Sequence, residues 1–420
     1  MCRKIYIFNP ENDLALANGN ENFEPPLSAR MLRNDLSLLP LWYADENAVV
    51  LTYSDISEKW LKKEREALGI NVSWISINSF VEIEKPDDLL IPWGWSPAIQ
   101  KLQYKTGCSG WIQNETNFLQ YKKLSHRSFT IEVLNMLQQE SLLTKGFRIP
   151  QELFSLTEVQ DYNRKYFPVL LKAPWSGSGR GLFWNNKPQD EKMKQWACPV
   201  LQKQGSVIGE SIYRKEKDFA MQFFRDDDKK VSFTGYSLFM TDKYGAYKGN
   251  ILESDDSIEK KLSQYVPVEQ LKQIREVLSC FFSSKIAPFY KGYFGVDMMI
   301  CSFYENSDTY FLHPCVEINL RMNMGMTCRL FYDRYVSPDS CGIFQIDHCA
   351  GSGLLYEDHL KKTVEQPLKI ENGKICSGYL SLTPVNFDTH YRARVEVERK
   401  KSREVQHGIL YQINNNATDE

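Results

Sequence analysis

The chain has 420 residues, too many for one compact core, so roughly two or three lobes are expected. Its 51 basic and 53 acidic residues leave a formal charge of −2, which offers no electrostatic footprint for nucleic acid. Aromatics at 13% argue against a disordered chain, and no apolar run reaches membrane-spanning length, so neither nucleic acid nor membrane is an expected partner.

In chain order, KIYIF and AVVLTY read as strands, SEKWLKKEREALG as a helix closed by Gly69, DLLIPW as a strand and PAIQKLQYK as a helix. That alternation predicts a small α/β layer over residues 1–118 with a partly parallel sheet. The loop NPENDLALANGNEN follows the first strand, at the carboxyl edge where ligands gather in such sheets. Its Asn and Asp residues also suit turns for local reasons, and both readings stand. From 119 to 150 the chain reads as strongly helical, with Pro150 following. FPVLLKAP and GLFWNNKP read as strands, VIGESIY and FAMQFF as a strand pair, and VSFTGYSLFM as a further strand. PVEQLKQIREVLSCFF carries apolar residues at 271, 274, 278 and 281, one helical face. YFGVDMMICSF and TYFLHPCVEINL are strands joined by YENSD. CSGYLSLTPV and YRARVEVERK look like strands, and NNNATDE like a frayed tail.

The ten cysteines form no Cys-x-x-Cys pair, which suits a reducing cytoplasm. His348–Cys349, with Cys341 and His359 near, is the closest approach to a metal cluster, but zinc sites are spaced more tightly. MCRKIYIFNP lacks a signal-peptide pattern.

Two stretches carry chemistry. In VEINLR, Glu317, Asn319 and Arg321 alternate along a strand and so share a face. A hairpin turn centred on Ser307 puts Asp297 opposite Glu317 and Gly295 opposite Asn319. Opposed Cβ atoms lie about 5 Å apart, so the two carboxylates repel unless a cation intervenes or one holds a proton. The oxygen-only donors Asp297, Glu317 and Asn319 suit a hard cation, magnesium first. Gly295 is expected to leave room beside Asn319 for something bulky. The bland alternative is a solvated face, but Val296, Met298, Val316 and Ile318 would cover the other side.

The second stretch is VLLKAPWSGSGRGLFW. It is neither a Walker A loop nor a dinucleotide fingerprint, because a strand and not a helix follows the glycines. Strand, glycine loop, strand is a hairpin flap that can lay backbone N–H groups over phosphate. Lys172, at the strand end and expected to be solvated, could reach phosphate as a point charge. A flexible loop with a solvated lysine is the alternative.

Together VLLK, SGSGRG, VIGESIY, GVDMMI and VEIN, in that order over about 119–335, resemble the ATP-grasp superfamily of carboxylate–amine ligases. GVDMMI, VEIN and GMT are similar to D-alanine–D-alanine ligases, and Glu317-x-Asn319-x-Arg321 to biotin carboxylases. The resemblance implies an α+β and α/β chain. Two α+β lobes would grip ATP, spanning 119–206 with the flap and 207–340 with the metal site, after a Rossmann-like α/β domain. The extension 341–420 matches nothing nameable.

The resemblance assigns Lys172 to the α- and β-phosphates and Lys123, with Lys122 as rival, to the lysine at the start of the first helix. Ser176, Gly177, Ser178, Gly179, Arg180 and Gly181 would form the flap, and Glu210 and Asp218 the hinge and ribose acids, with the choice for ribose open. Asp297, Glu317 and Asn319 look like ligands of two magnesium ions, with manganese a substitute. Arg321 resembles an arginine that steadies an acyl phosphate, and Lys248 and Asn250 loosely match a loop near the transferred phosphoryl group. The expected reaction joins a small-molecule carboxylate to an amine, giving ADP and phosphate. GMT before a helix at 327–335 hints at an amino acid or peptide. A small-molecule kinase or a non-catalytic ATP-binding module are the alternatives, and homodimer assembly is left open.

Overall fold

The computed structural model describes residues 2–81, 87–112, 114–177, 181–188, 190–242, 246–303 and 306–400. Ser178, Gly179, Arg180 and the tail NNNATDE lie outside the described residues.

Among those residues three sheets carry the fold. Strands β1 (Lys4–Ile7), β2 (Val49–Thr52), β3 (Ser73–Ser76) and β4 (Leu89–Pro92) form a wholly parallel sheet in the order β3-β2-β1-β4. The short apolar runs suit burial on both faces, as in β2, where all four residues are buried. The helix expected over SEKWLKKEREALG is confined to Lys62–Ala67, and Gly69 does follow its end with φ +68°.

The second sheet is antiparallel, in the order β5-β8-β6-β7, from β5 (Gln151–Leu153), β6 (Val169–Lys172), β7 (Leu182–Asn185) and β8 (Val207–Ser211). β6 and β7 are the expected flap hairpin, with Lys172 opposite Leu182. VIGES does not pair with FAMQFF: β8 lies between β5 and β6 in this small sheet. Val169, Leu171 and Val207 pack beneath it with Val159 and Met193, from the helices Leu156–Tyr166 and Asp190–Gln204. Alternation sends Lys172 and Glu210 to the other face.

The third sheet has nine strands in the order β13-β12-β9-β10-β11-β14-β17-β16-β15. They are β9 (Arg214–Arg225), β10 (Val231–Thr241), β11 (Tyr247–Leu252), β12 (Gly292–Phe303), β13 (Asn306–Asn319), β14 (Ser340–His348), β15 (Lys369–Glu371), β16 (Lys374–Ser381) and β17 (Tyr391–Arg399). β14 to β17 continue the sheet beyond β11, so residues 340–399 are part of its body. One face packs on the helix Val268–Lys285 through Leu271, Ile274, Leu278 and Phe282. Phe282, not Phe281, completes the buried stripe, and Phe281 is half-buried.

The helical stretch 119–150 is two helices, Glu115–Leu124 and Phe129–Gln139. The break between them holds His126 and Arg127. The helix Met324–Tyr335 starts three residues earlier than expected, capped by the Asn323 side chain, which accepts from Met326 N–H at 2.8 Å. Its Phe331 and Tyr335 meet Trp42 edge-on at 5.4 and 5.7 Å, tying the parallel sheet's layer to the large sheet.

Candidate nucleotide and metal site

The β12–β13 hairpin pairs Asp297 with Glu317 and Gly295 with Asn319, the expected register. Its turn does not centre on Ser307. Phe303 pairs with Asn306, and two register shifts make up the difference. The shift nearer the site puts Met299 opposite His313, so two extra residues sit on β13 between His313 and Glu317. Pro314 and Cys315 are in that segment, and a proline cannot donate to the ladder. Gly295 to Asp297 and Glu317 to Asn319 pair in unbroken register on one side of both shifts, so the acid row faces one way.

Asn319 donates from Nδ2 to Asp297 Oδ2 at 3.0 Å. Burial first, and the Glu317 charge second, push the Asp297 carboxyl up to about 7. A cation between the two acids would relieve both effects, and the donors are oxygens only. Magnesium keeps several waters and takes one or two carboxylates plus phosphate, so this set fits it. Among the described residues no group of three or more His, Cys, Asp or Glu is placed to hold a metal, the loose His348–Cys349 grouping included. His359 instead shares a 2.9 Å hydrogen bond with Tyr379.

The room expected beside Gly295 is filled. A Cβ there would stand 2.7 Å from Gln222 Oε1 and 2.8 Å from Asn323 Nδ2. Those two amides bond each other at 3.0 Å, so Gly295 serves helix packing and not ligand entry. The GMT segment is likewise the first helical turn, and the Met326 N–H is taken by its cap.

Lys172 is buried, contrary to the expectation of a solvated strand end. Its Nζ lies 2.5 Å from Glu210 Oε2, and both side chains are under 10% exposed. Lys123 does not reach the site: it is exposed in the last turn of Glu115–Leu124. Lys122 sits over the Trp175 ring at 5.0 Å. The cation at the start of the following helix is Arg127, which sequence reasoning missed. Arg127 donates from Nη2 to Glu317 Oε1 at 2.9 Å and to the Ser176 carbonyl at 3.0 Å. From Nη1 it donates to the Ala173 carbonyl at 2.6 Å and Ser176 Oγ at 2.5 Å. One buried guanidinium thus ties the flap's base to the acid row. The available sign was SHRS, where serines bracket a cation between two helical patterns.

Arg321 is gripped by Asp13 from the short helix Asn12–Asn18, which stands after β1 where a loop was expected. It donates from Nε to Asp13 Oδ1 at 3.1 Å and from Nη2 to Asp13 Oδ2 at 2.7 Å, a bidentate pair. Burial opposes the Asp13 carboxylate, but Arg321 outweighs it and holds its pKa below the ordinary value. Burial likewise works against the Arg321 charge, and Asp13 more than offsets it. Of the two readings of that Asn/Asp-rich loop, Asp13 supports the one that reaches the cleft. Gly177 closes against the pair: a Cβ there would lie 2.4 Å from Asp13 Oδ2.

Asp218 lies on the same sheet face, two strands from His313, and accepts from Lys215 at 2.6 Å and Thr241 Oγ1 at 2.8 Å. Asn250 is buried and donates to Ser237 Oγ at 2.6 Å, whereas Lys248 is exposed. Asn12, Asp13, Ser125, Trp175, Ser176, Glu317, Asn319 and Arg321 line one cleft, so parallel layer, flap and large sheet meet there.

No family model matches the chain, and no curated protein matches it. Solved structures do. Pyruvate carboxylase from Rhizobium etli, with the allosteric activator acetyl coenzyme A, is 12% identical at a TM-score of 0.51, over 95% of this chain and 36% of that one. The biotin carboxylase–β,γ-ATP complex from Campylobacter jejuni is 12% identical at 0.49, over 96% of this chain and 88% of that one. N5-carboxyaminoimidazole synthetase from Staphylococcus aureus complexed with ADP is 13% identical at 0.47, over 99% and 95%. The chain has the ATP-grasp fold. No helix among the described residues is long and apolar enough to cross a membrane.

Proposed function

We propose that the protein is an ATP- and magnesium-dependent ligase that joins a small-molecule carboxylate to an amine, releasing ADP and phosphate. The observation that carries this reading is the cleft itself. Arg321, Glu317 and Asn319 line it, Arg127 bonds Glu317 and Asp297 bonds Asn319 at its edge, and Lys172 is paired with Glu210 beside His313, on the same strand as Glu317, each cation now held by a carboxylate. A site whose cations are all engaged internally is poised to exchange those partners for the phosphates and carboxylate of its ligands.

In this account Lys172 leaves Glu210 for the α- and β-phosphates, and Glu210 and Asp218 serve the adenosine. Arg127 offers a rigid fork to phosphate. The flap, from Ser176 to Gly181, covers the nucleotide with backbone N–H groups and excludes water. Asp297, Glu317 and Asn319 would hold magnesium, which when bound neutralises phosphate charge and polarises the transferring group. Arg321 steadies the substrate carboxylate as it becomes an acyl phosphate, and the amine then displaces phosphate. An amino acid or peptide is the favoured substrate, because the Asp13–Arg321 wall offers one acid and one base side by side. The ten free thiols suit a reducing, cytoplasmic setting.

The test is a metabolite mixture incubated with labelled ATP, magnesium and protein, with hydroxylamine in a parallel sample. The ligase reading expects ADP and free phosphate in equal amounts and a hydroxamate from the consumed carboxylate. Phosphoryl label kept on a stable product would make the protein a kinase instead.

A further inference from the structure

The mechanism above leaves one buried group without a task. His313, on β13, is wholly buried, and neither ring nitrogen has a hydrogen-bond partner. A buried imidazole without a partner carries a desolvation cost, so its retention asks for a state in which it is satisfied. Its ring stands edge-on to Phe147 at 4.8 Å, and Nε2 lies 3.7 Å from Glu210 Oε1. The other oxygen of Glu210 is the one Lys172 holds. The three side chains come from three strands, β13 of the large sheet and β8 and β6 of the small one.

Resting on the nucleotide reading of Lys172, we propose that His313 is a positioning residue that takes over Glu210 when Lys172 turns to phosphate, drawing one proton from solvent as it does so. The argument is one of charge balance. Glu210 is buried, and among the described residues Lys172 is the cation that neutralises it. If Lys172 moves to phosphate, a buried carboxylate is left without a cation, a costly arrangement. The imidazole needs only a few tenths of an ångström to reach hydrogen-bonding distance, and as imidazolium it restores neutrality. Burial now holds His313 down at about 4; Glu210 pulls it up and Lys172 pushes it down. Losing the Lys172 repulsion and closing on Glu210 both raise the imidazole's affinity for a proton.

The surrounding groups do not supply an alternative partner. Tyr213, beyond β8, and the thiols Cys301 on β12 and Cys315 on β13 are all pushed up by burial and stay neutral near pH 7. Tyr162, under the small sheet, is raised likewise. The Arg148 guanidinium donates to Ser211 Oγ at 2.9 Å, and Asp218 is engaged by Lys215 and Thr241.

Calorimetry with MgADP at pH 7, in two buffers of different ionisation enthalpy, reads the proton count. Wild type should take up close to one proton more per nucleotide than His313→Gln, whose amide can hold Glu210 but cannot titrate. His313→Gln should bind within a few-fold of wild type, and His313→Phe, which can do neither, at least about tenfold more weakly. A wild-type measurement guards against variants that misfold. Of the six histidines, one 13C-labelled ring should move to the imidazolium position on adding MgADP at pH 7. MgADP binding with equal proton uptake in wild type and His313→Gln, or with no ring changing charge, overturns the His313 role and leaves the ligase reading intact. No MgADP binding at all overturns both.

Discussion

Lys172 and Glu210 are a buried ion pair, and such a pair is costly to break from one side. Lys172→Met should lower stability in urea melts by roughly 3–5 kcal/mol at alkaline pH, where Glu210 is left charged inside the cleft, and by less at neutral and acid pH, where His313 can take a proton and pair with it. Adding Glu210→Gln should return most of that loss, yet neither variant should respond to MgATP. A Lys172→Met protein that melts like wild type at alkaline pH would contradict the buried pair. Glu317→Gln tests the acid row. Turnover should fall at least about a hundredfold, the scale for losing one active-site electrostatic contact. Ligand-free stability should stay within about 1 kcal/mol, since the amide oxygen still accepts from Arg127 while the crowding of Asp297 is relieved. Wild-type turnover in this variant would reduce the row to a structural feature.

The flap and the β12–β13 hairpin differ in how far their sequences disclosed them. In the hairpin, alternation alone put Asp297, Glu317 and Asn319 on one face, and the two register shifts together offset the displaced turn. Register at the site was therefore legible although the turn position was not. Lys172 and the glycine hairpin were legible as local pattern. Arg127 and Asp13 were not, because their relevance depends on which loop meets which sheet. They stand 190 and 308 residues from the partners they bind, Glu317 and Arg321. Arg127 does not stand out beside Lys123 and its rival Lys122 in the sequence, because the break at Ser125–Ser128 reads there as continuous helix. The flap's contact with the Asp13–Arg321 pair yields a further expectation. Gly177→Ala would drive a methyl onto Asp13 Oδ2, so turnover should fall by about ten- to a hundredfold while MgATP still binds. Steady-state kinetics beside calorimetry separate the two, and unchanged turnover would place Gly177 away from the reacting groups.

At the scale of the molecule, three sheets meet at one cleft, and the large sheet runs from β13 to β15 without a break. The extension 341–420 matches nothing nameable in the sequence, where two strands stand out but β14 and the helix Leu354–Glu365 do not. Yet Phe344, Val395 and Leu380 share a core with Trp42 and Phe331, and Trp42 Nε1 donates to the Leu382 carbonyl at 2.6 Å. Ending the chain after residue 340 should therefore abolish cooperative melting, read by circular dichroism; a truncated protein that melts as sharply as the full chain would refute that continuity. Every role assigned to the cleft requires a nucleotide gripped between the small sheet and the large one. The direct measurement is calorimetric titration of the full chain with magnesium and a β,γ-nonhydrolysable ATP analogue. The account predicts one saturable site, lost in the Lys172→Met/Glu210→Gln double variant, whereas no heat of binding up to millimolar nucleotide would contradict it.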